Sequence, residues 1–132
     1  MANVLIVDDD DDIRSLVSML VGMAGHSVRE AANGREGLEA VVENRPDLVL
    51  LDVEMPILSG PEMACEMFIR NCGSEKIPII LISGVVGLDE FAEMVGTPYF
   101  LTKPYSPAML LKMVDRALRE HVPPRPKLEV RR

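Results

Sequence analysis

Asn3-Val4-Leu5-Ile6-Val7-Asp8-Asp9 opens the chain with four consecutive aliphatic residues that end abruptly in two acids. A run this short and this rich in β-branched residues suits a strand buried on both faces, as in a parallel sheet. The period then changes. Ile13, Leu16, Val17, Leu20, Val21 and Ala24 recur at helical spacing, and Gly25 stops that helix. Ser27 to Ala31 is a brief second strand. Asn33-Gly34 is turn chemistry, after which Leu38, Val41 and Val42 start a second helical face that Pro46 closes. Asp47 to Asp52 reads as a third strand. Pro61 falls in the first turn of a helix carrying Met63, Ala64, Met67 and Phe68. Ile77 to Ile82 is a fourth strand, broken at Gly84, and Leu88 to Val95 is a short helix. Tyr99 to Thr102 is a fifth strand, ended by Lys103-Pro104. Ser106 as N-cap and Pro107 behind it open a last helix with Leu110, Leu111, Val114, Ala117 and Leu118. Five strand–helix pairs in strict alternation predict an α/β fold: a doubly wound, five-stranded parallel sheet with right-handed crossovers.

At 132 residues the chain is one domain and long enough to bury a core. The hydrophobic fraction of 48% excludes a disordered chain. Fourteen basic against 21 acidic residues give a net charge of −7, a poor match to nucleic-acid phosphates. No apolar run is long enough for a membrane span, and no secretory signal opens the chain, so a cytoplasmic protein is expected. Cys65 and Cys72 are spaced for neither a redox pair nor a zinc site. We divide the chain into a domain over 1–121 and a tail over 122–132. Pro123, Pro124 and Pro126 preclude a continued helix, and Arg125, Lys127, Arg131 and Arg132 against Glu129 make the tail basic. It is expected to be flexible.

In an open parallel sheet, ligands bind outside the carboxyl ends of the strands. The first strand here ends in Asp8-Asp9, the third in Asp52, the fourth in Ser83 and the fifth in Lys103. Three carboxylates on one edge repel by about 4 kcal/mol per pair at 4 Å and an effective dielectric near 20. A hard divalent cation such as Mg2+ relieves that conflict. The cation and Lys103 would neutralise phosphoryl oxygens while one carboxylate attacks phosphorus, and Ser83 would donate to a further oxygen. Asp10, Asp11 and Asp12 are read as a solvated turn capping the first helix.

With those residues in place, the chain resembles the receiver domains of two-component response regulators. The matching segments are Val4 to Asp9, Leu50 to Gly60, Pro78 to Gly84 and Phe100 to Pro104, and the likeness extends from about Asn3 to His121. The resemblance implies a (βα)5 flavodoxin-like fold with strand order 2-1-3-4-5. It makes Asp52 the phosphoacceptor. Asp9 and Asp52 would bind Mg2+ directly with the backbone carbonyl of Glu54, and Asp8 through a metal-bound water. Ser83 and Lys103 would contact the phosphoryl group, and the Lys103-Pro104 bond would be cis. Phe100, three residues before the lysine, is the aromatic expected to turn inward when Ser83 moves. Its neighbour Tyr99 points the other way by strand alternation.

The donor implied is a sensor histidine kinase or phosphotransfer protein, and Met19 and Met23 lie on the helix where the family docks such kinases. The output partner is not named by the sequence, and the state implied is a monomer or a phosphorylation-dependent dimer. The protein is then a switch for protein–protein interactions and not an enzyme acting on a separate substrate. Two other classes compete. One is a receiver-like adaptor that needs no phosphorylation. The other is a small Mg2+-dependent aspartyl phosphohydrolase with Asp52 as nucleophile and Glu54 as acid.

Overall fold

The computed structural model describes residues 2–52, 77–84, 92–93 and 96–125. Five strands form one parallel sheet of order β2-β1-β3-β4-β5: β1 Asn3–Val7, β2 Ser27–Ala31, β3 Leu48–Asp52, β4 Ile79–Ser83 and β5 Phe100–Thr102. Three helices are described: α1 Asp11–Met23, α2 Gly34–Glu43 and α3 Pro107–Glu120. Of the helix expected over Leu88 to Val95, Ala92 and Glu93 are described, and both are helical. The helix expected after Pro61, both cysteines and residues 126–132 lie outside the described residues.

Strand alternation sorts the core into two layers. Leu5, Val7, Val49, Leu51, Ile79 and Leu81 face one side, where Val41 of α2 and Ala92 pack. Val4, Ile6, Leu50, Ile80, Ile82 and Leu101 face the other, against Val17 and Val21 of α1 and Leu110, Val114 and Ala117 of α3. Every residue of β3 and β4 is buried, which is why those strands read as unbroken aliphatic runs instead of alternating ones.

The helix ends follow their capping chemistry. The Asp10 side chain accepts from the N–H groups of Asp12 and Ile13, so this acid of the run is the N-cap of α1. Asp11 and Asp12 stand in the first turn, where negative charge suits the helix dipole. Gly25, with φ +100°, follows the end of α1 in a conformation that favours glycine. Asn33 accepts from the Glu36 N–H, and the Glu36 carboxylate accepts from the Ala32 N–H. Asn33-Gly34 is therefore the start of α2 itself and not a turn ahead of it. Ser106 accepts from the Met109 N–H at 3.1 Å and caps α3, with Pro107 in the first turn. Among the described residues no helix is long and apolar enough to cross a membrane.

The segment after α3 turns back onto the sheet. The His121 backbone is left-handed at φ 53°. The Val122 N–H donates to Tyr99 Oη at 3.2 Å, Pro124 is buried, and the Arg125 N–H donates to the Gly96 carbonyl at 3.1 Å. The first four residues of the expected tail thus lie against the entry to β5.

Candidate functional site

The register brings the four strand ends level. Val7 pairs with Leu51, Asp52 with Ile82 and Ser83 with Thr102. Asp8, Asp9, Asp52, Ser83 and Lys103 therefore meet at the carboxyl edge of the sheet. One carboxylate oxygen from each of Asp8, Asp9 and Asp52 lies within 4.8 Å of the others. Asp8 and Asp52 are buried, Ser83 is fully buried and Asp9 is exposed. The Lys103 N–H donates to the Ser83 carbonyl at 2.9 Å, continuing the β4–β5 ladder one step past the strand. The Lys103-Pro104 peptide bond is cis.

This clustering has an electrostatic cost. Burial pushes the Asp8 carboxyl above the usual carboxylate range, and the charges of Asp9 and Asp10 add to the rise. The Asp10 N–H, which donates to Asp8 Oδ1 at 2.9 Å, and the Lys103 ammonium pull it back. Three hard oxygen donors within one small radius, one of them held above its usual pKa, fit a divalent cation that prefers carboxylates and water. Among the described residues no softer ligand such as thiolate or imidazole enters the cluster.

Phe100 pairs with Leu81 and so shares a sheet face with Ser83, one step farther from the edge. It is half-buried against the Leu5–Leu81 layer. Tyr99 faces the opposite layer and is fully buried. Its hydroxyl donates to Glu120 at 3.1 Å, and the Arg116 guanidinium sits 5.2 Å from its ring centroid. Glu54, expected to offer a backbone carbonyl, lies outside the described residues.

Sequence reasoning missed two residues at this edge. Tyr105 is half-buried, and its phenol is raised above the ordinary value first by burial and then by the charges of Asp8 and Asp52. The one signal for it was its place two residues past Lys103. Arg14 is the other: its Nη1 donates to the Asp8 carbonyl at 2.7 Å. Nothing in the helical period distinguishes Arg14 from a surface arginine. Beside Tyr105, a groove of about 300 Å3 is lined by Ile13, Leu16, Val17 and Leu20 of α1 together with Lys103 and Pro104.

Comparison with known proteins identifies the family. The family model for the response regulator receiver domain matches residues 4–115. Protein Rrf1 of Nitratidesulfovibrio vulgaris is 35% identical over 118 residues, covering 89% of this chain and 83% of that protein. The phosphate regulon transcriptional regulatory protein PhoB of Pseudomonas aeruginosa is 34% identical over 127 residues. This chain spans 53% of PhoB's length and 91% of its own. Among solved structures, the Vibrio cholerae chemotaxis protein CheY4 superposes with a TM-score of 0.80 at 34% identity, covering 88% of this chain and 98% of that one. From the match over 4–115, the sheet order and the acidic edge, the chain belongs to the response regulator receiver domain family of two-component signalling.

Proposed function

We propose that this receiver domain accepts a phosphoryl group on Asp52 from the phosphohistidine of a sensor histidine kinase or phosphotransfer protein. An Asp52 carboxylate oxygen bonds to phosphorus while the phosphorus–nitrogen bond breaks and the imidazole leaves with that electron pair. Asp8, Asp9 and Asp52, with the backbone carbonyl of Glu54, would hold Mg2+. Bound there, the ion would offset the charge of the phosphoryl oxygens as the carboxylate approaches. Lys103 pairs with one phosphoryl oxygen, and the Ser83 hydroxyl donates to another. Drawing Ser83 towards the new acceptor opens space on its sheet face, and Phe100, on that face, turns in. The output is a change of protein partner. The domain acts as a monomer or as a dimer formed on phosphorylation.

The observation that carries this reading is the approach of Asp8, Asp9 and Asp52 to within 4.8 Å at the edge that also bears Ser83 and Lys103. The apolar edge of α1 supports the partner side. Leu16, Met19 and Met23 are 49%, 53% and 77% exposed, and methionine adapts well to a packed partner helix.

Intact-mass spectrometry after incubation with a small phosphodonor, with and without Mg2+, tests the proposal beside Asp52→Asn. The expected result is a single phosphoryl adduct that requires Mg2+ and disappears in the variant. Folded protein that binds Mg2+ but takes no adduct would favour an adaptor. An adduct that survives in Asp52→Asn would assign the wrong carboxylate. Steady turnover of a small phosphoester would favour a phosphohydrolase.

A further inference from the structure

The connection from β1 to α1 is three residues, Asp8 to Asp10, and both its ends are fixed by backbone bonds. The Asp8 N–H donates to the Ala31 carbonyl at 3.1 Å, and the Arg14 N–H donates to the Asp10 carbonyl at 2.9 Å. Between them lies the peptide plane that joins Asp8 to Asp9. A trans peptide is rigid, so the direction of the Asp8 carbonyl sets where the Asp9 Cα sits relative to Asp8. That carbonyl accepts from Arg14 Nη1 at 2.7 Å. The same guanidinium donates through Nη2 to Asp11 at 2.6 Å and through Nε to Glu30 of β2 at 3.1 Å. The Arg14 side chain is 15% exposed. Asp11 and Glu30 are 85% and 41% exposed, but a planar fork that meets both carboxylates and the Asp8 carbonyl at once holds a geometry which a lysine cannot reproduce.

We infer that Arg14 is a positioning residue for the cation site: by clamping the Asp8 carbonyl to β2 and α1, it fixes the peptide plane that presents Asp8 and Asp9 together. Arg14 touches neither the cation nor the phosphoryl group. This inference rests on the proposed Mg2+ site. It reaches beyond that site because it assigns the geometry to a cation whose own charge opposes cation binding.

That opposition makes the test one of sign. By charge alone, removing Arg14 leaves the pocket more negative and tightens Mg2+. By positioning, removing it lets the Asp8–Asp9 plane turn and weakens Mg2+, and outer partners of metal ligands typically contribute 10–100-fold in affinity. The experiment is a MgCl2 titration of the full chain followed by amide shifts in 1H–15N NMR, for wild type, Arg14→Gln and Arg14→Lys. The readout is the dissociation constant of the folded, unphosphorylated protein.

The expected result is about tenfold weaker binding in Arg14→Gln. Unchanged or tighter binding in that variant overturns the inference. If Arg14→Gln does not fold, Arg14→Lys decides, because its charge is retained and a field effect predicts no change. Weaker binding in Arg14→Lys then supports the clamp, and wild-type affinity overturns it. A wild type whose amides do not respond to Mg2+ overturns the cation site itself, and the role of Arg14 falls with it.

Discussion

Replacing Asp8 with asparagine should stabilise the metal-free protein at neutral pH. Asp8 is buried, and its carboxylate lies within 4.8 Å of those of Asp9 and Asp52. Two charges at that distance repel by about 3.5 kcal/mol at an effective dielectric near 20, and by about 0.9 kcal/mol in water. The pair with exposed Asp9 belongs near the lower figure and the pair with buried Asp52 nearer the higher, while Lys103 opposes both. A net gain of about 2 kcal/mol is expected. At about 2.1 cal/mol/K of unfolding entropy per residue, that raises Tm by about 7 °C for a chain of this length. Asparagine keeps the Oδ1 acceptor that meets the Asp10 N–H, so no hydrogen bond is lost with the charge.

The pH dependence tests the cost of the Asp8 charge, to which burial contributes first and the neighbouring carboxylates second. Asp8 titrates above its ordinary value of 3.8 in the folded protein, so the folded state holds more protons than the unfolded one just above that pH. Wild-type stability therefore falls as pH rises through that window, and Asp8→Asn escapes the fall. Thermal unfolding followed by circular dichroism in EDTA should show the advantage of Asp8→Asn at about pH 7 and its absence at about pH 4. Adding Mg2+ at ten times its dissociation constant should restore about 1.4 kcal/mol to the wild type and less to the variant. A lower Tm for Asp8→Asn at neutral pH in EDTA, or a gain that persists undiminished in acid, would refute the repulsion argument.

Other residues give shorter tests. Lys103→Met removes the cation that lowers the Asp8 pKa, so the Asp8 carboxyl should titrate higher still in a carbonyl-detected NMR titration. Tyr99→Phe removes the hydroxyl shared by Glu120 and the Val122 N–H and should cost about 1 kcal/mol in urea unfolding. Gly96→Ala would place a Cβ 2.1 Å from the Arg125 carbonyl oxygen at φ +81°. It should cost about 1–2 kcal/mol and speed hydrogen exchange of the Arg125 amide.

Much of this fold was legible because its strands announce themselves. Runs such as Val4-Leu5-Ile6-Val7 and Ile79-Ile80-Leu81-Ile82 are aliphatic on both faces, and only a sheet covered on both sides needs that. The bounds were softer. The sequence pattern starts the third strand at Asp47, whereas β3 begins at Leu48, and Asp47 instead meets the start of β1, its carboxylate accepting from the Asn3 N–H and its own N–H donating to the Asn3 carbonyl. Ile77 and Tyr99 are buried like strand residues but lie just outside the paired ladder. The edge residues followed from asking what ends each strand, which needs only the order of elements. What that question cannot reach is contact across the chain. Arg14 meets Glu30 sixteen residues away, and Val122 meets Tyr99 over a separation of 23. Local period holds no information about such pairs. The docking of 122–125 was hidden for the same reason: three prolines exclude a helix, but they do not say where an extended segment lies.

The placement of the acids also explains why the chain can keep them. The crowded carboxylates stand at the carboxyl ends of β1 and β3, strands whose side chains are almost wholly removed from water. Burying one leucine or isoleucine contributes about 1.5–3 kcal/mol, and Leu50, Leu51, Ile79, Ile80 and Leu81 are all at or below 1% exposure. One or two such side chains offset the repulsion at the edge. The packed sheet also resists the relaxation that would relieve it, because moving Asp52 away from Asp8 means sliding β3 against β1 through the pairs Val4–Leu48 to Val7–Leu51. The acids are thus held closer than they would settle on a pliable loop. The repulsion that remains is the reserve on which a cation draws when it binds. On this argument affinity for the cation and stability without it are opposed, and Asp8→Asn should move them in opposite directions in a single protein.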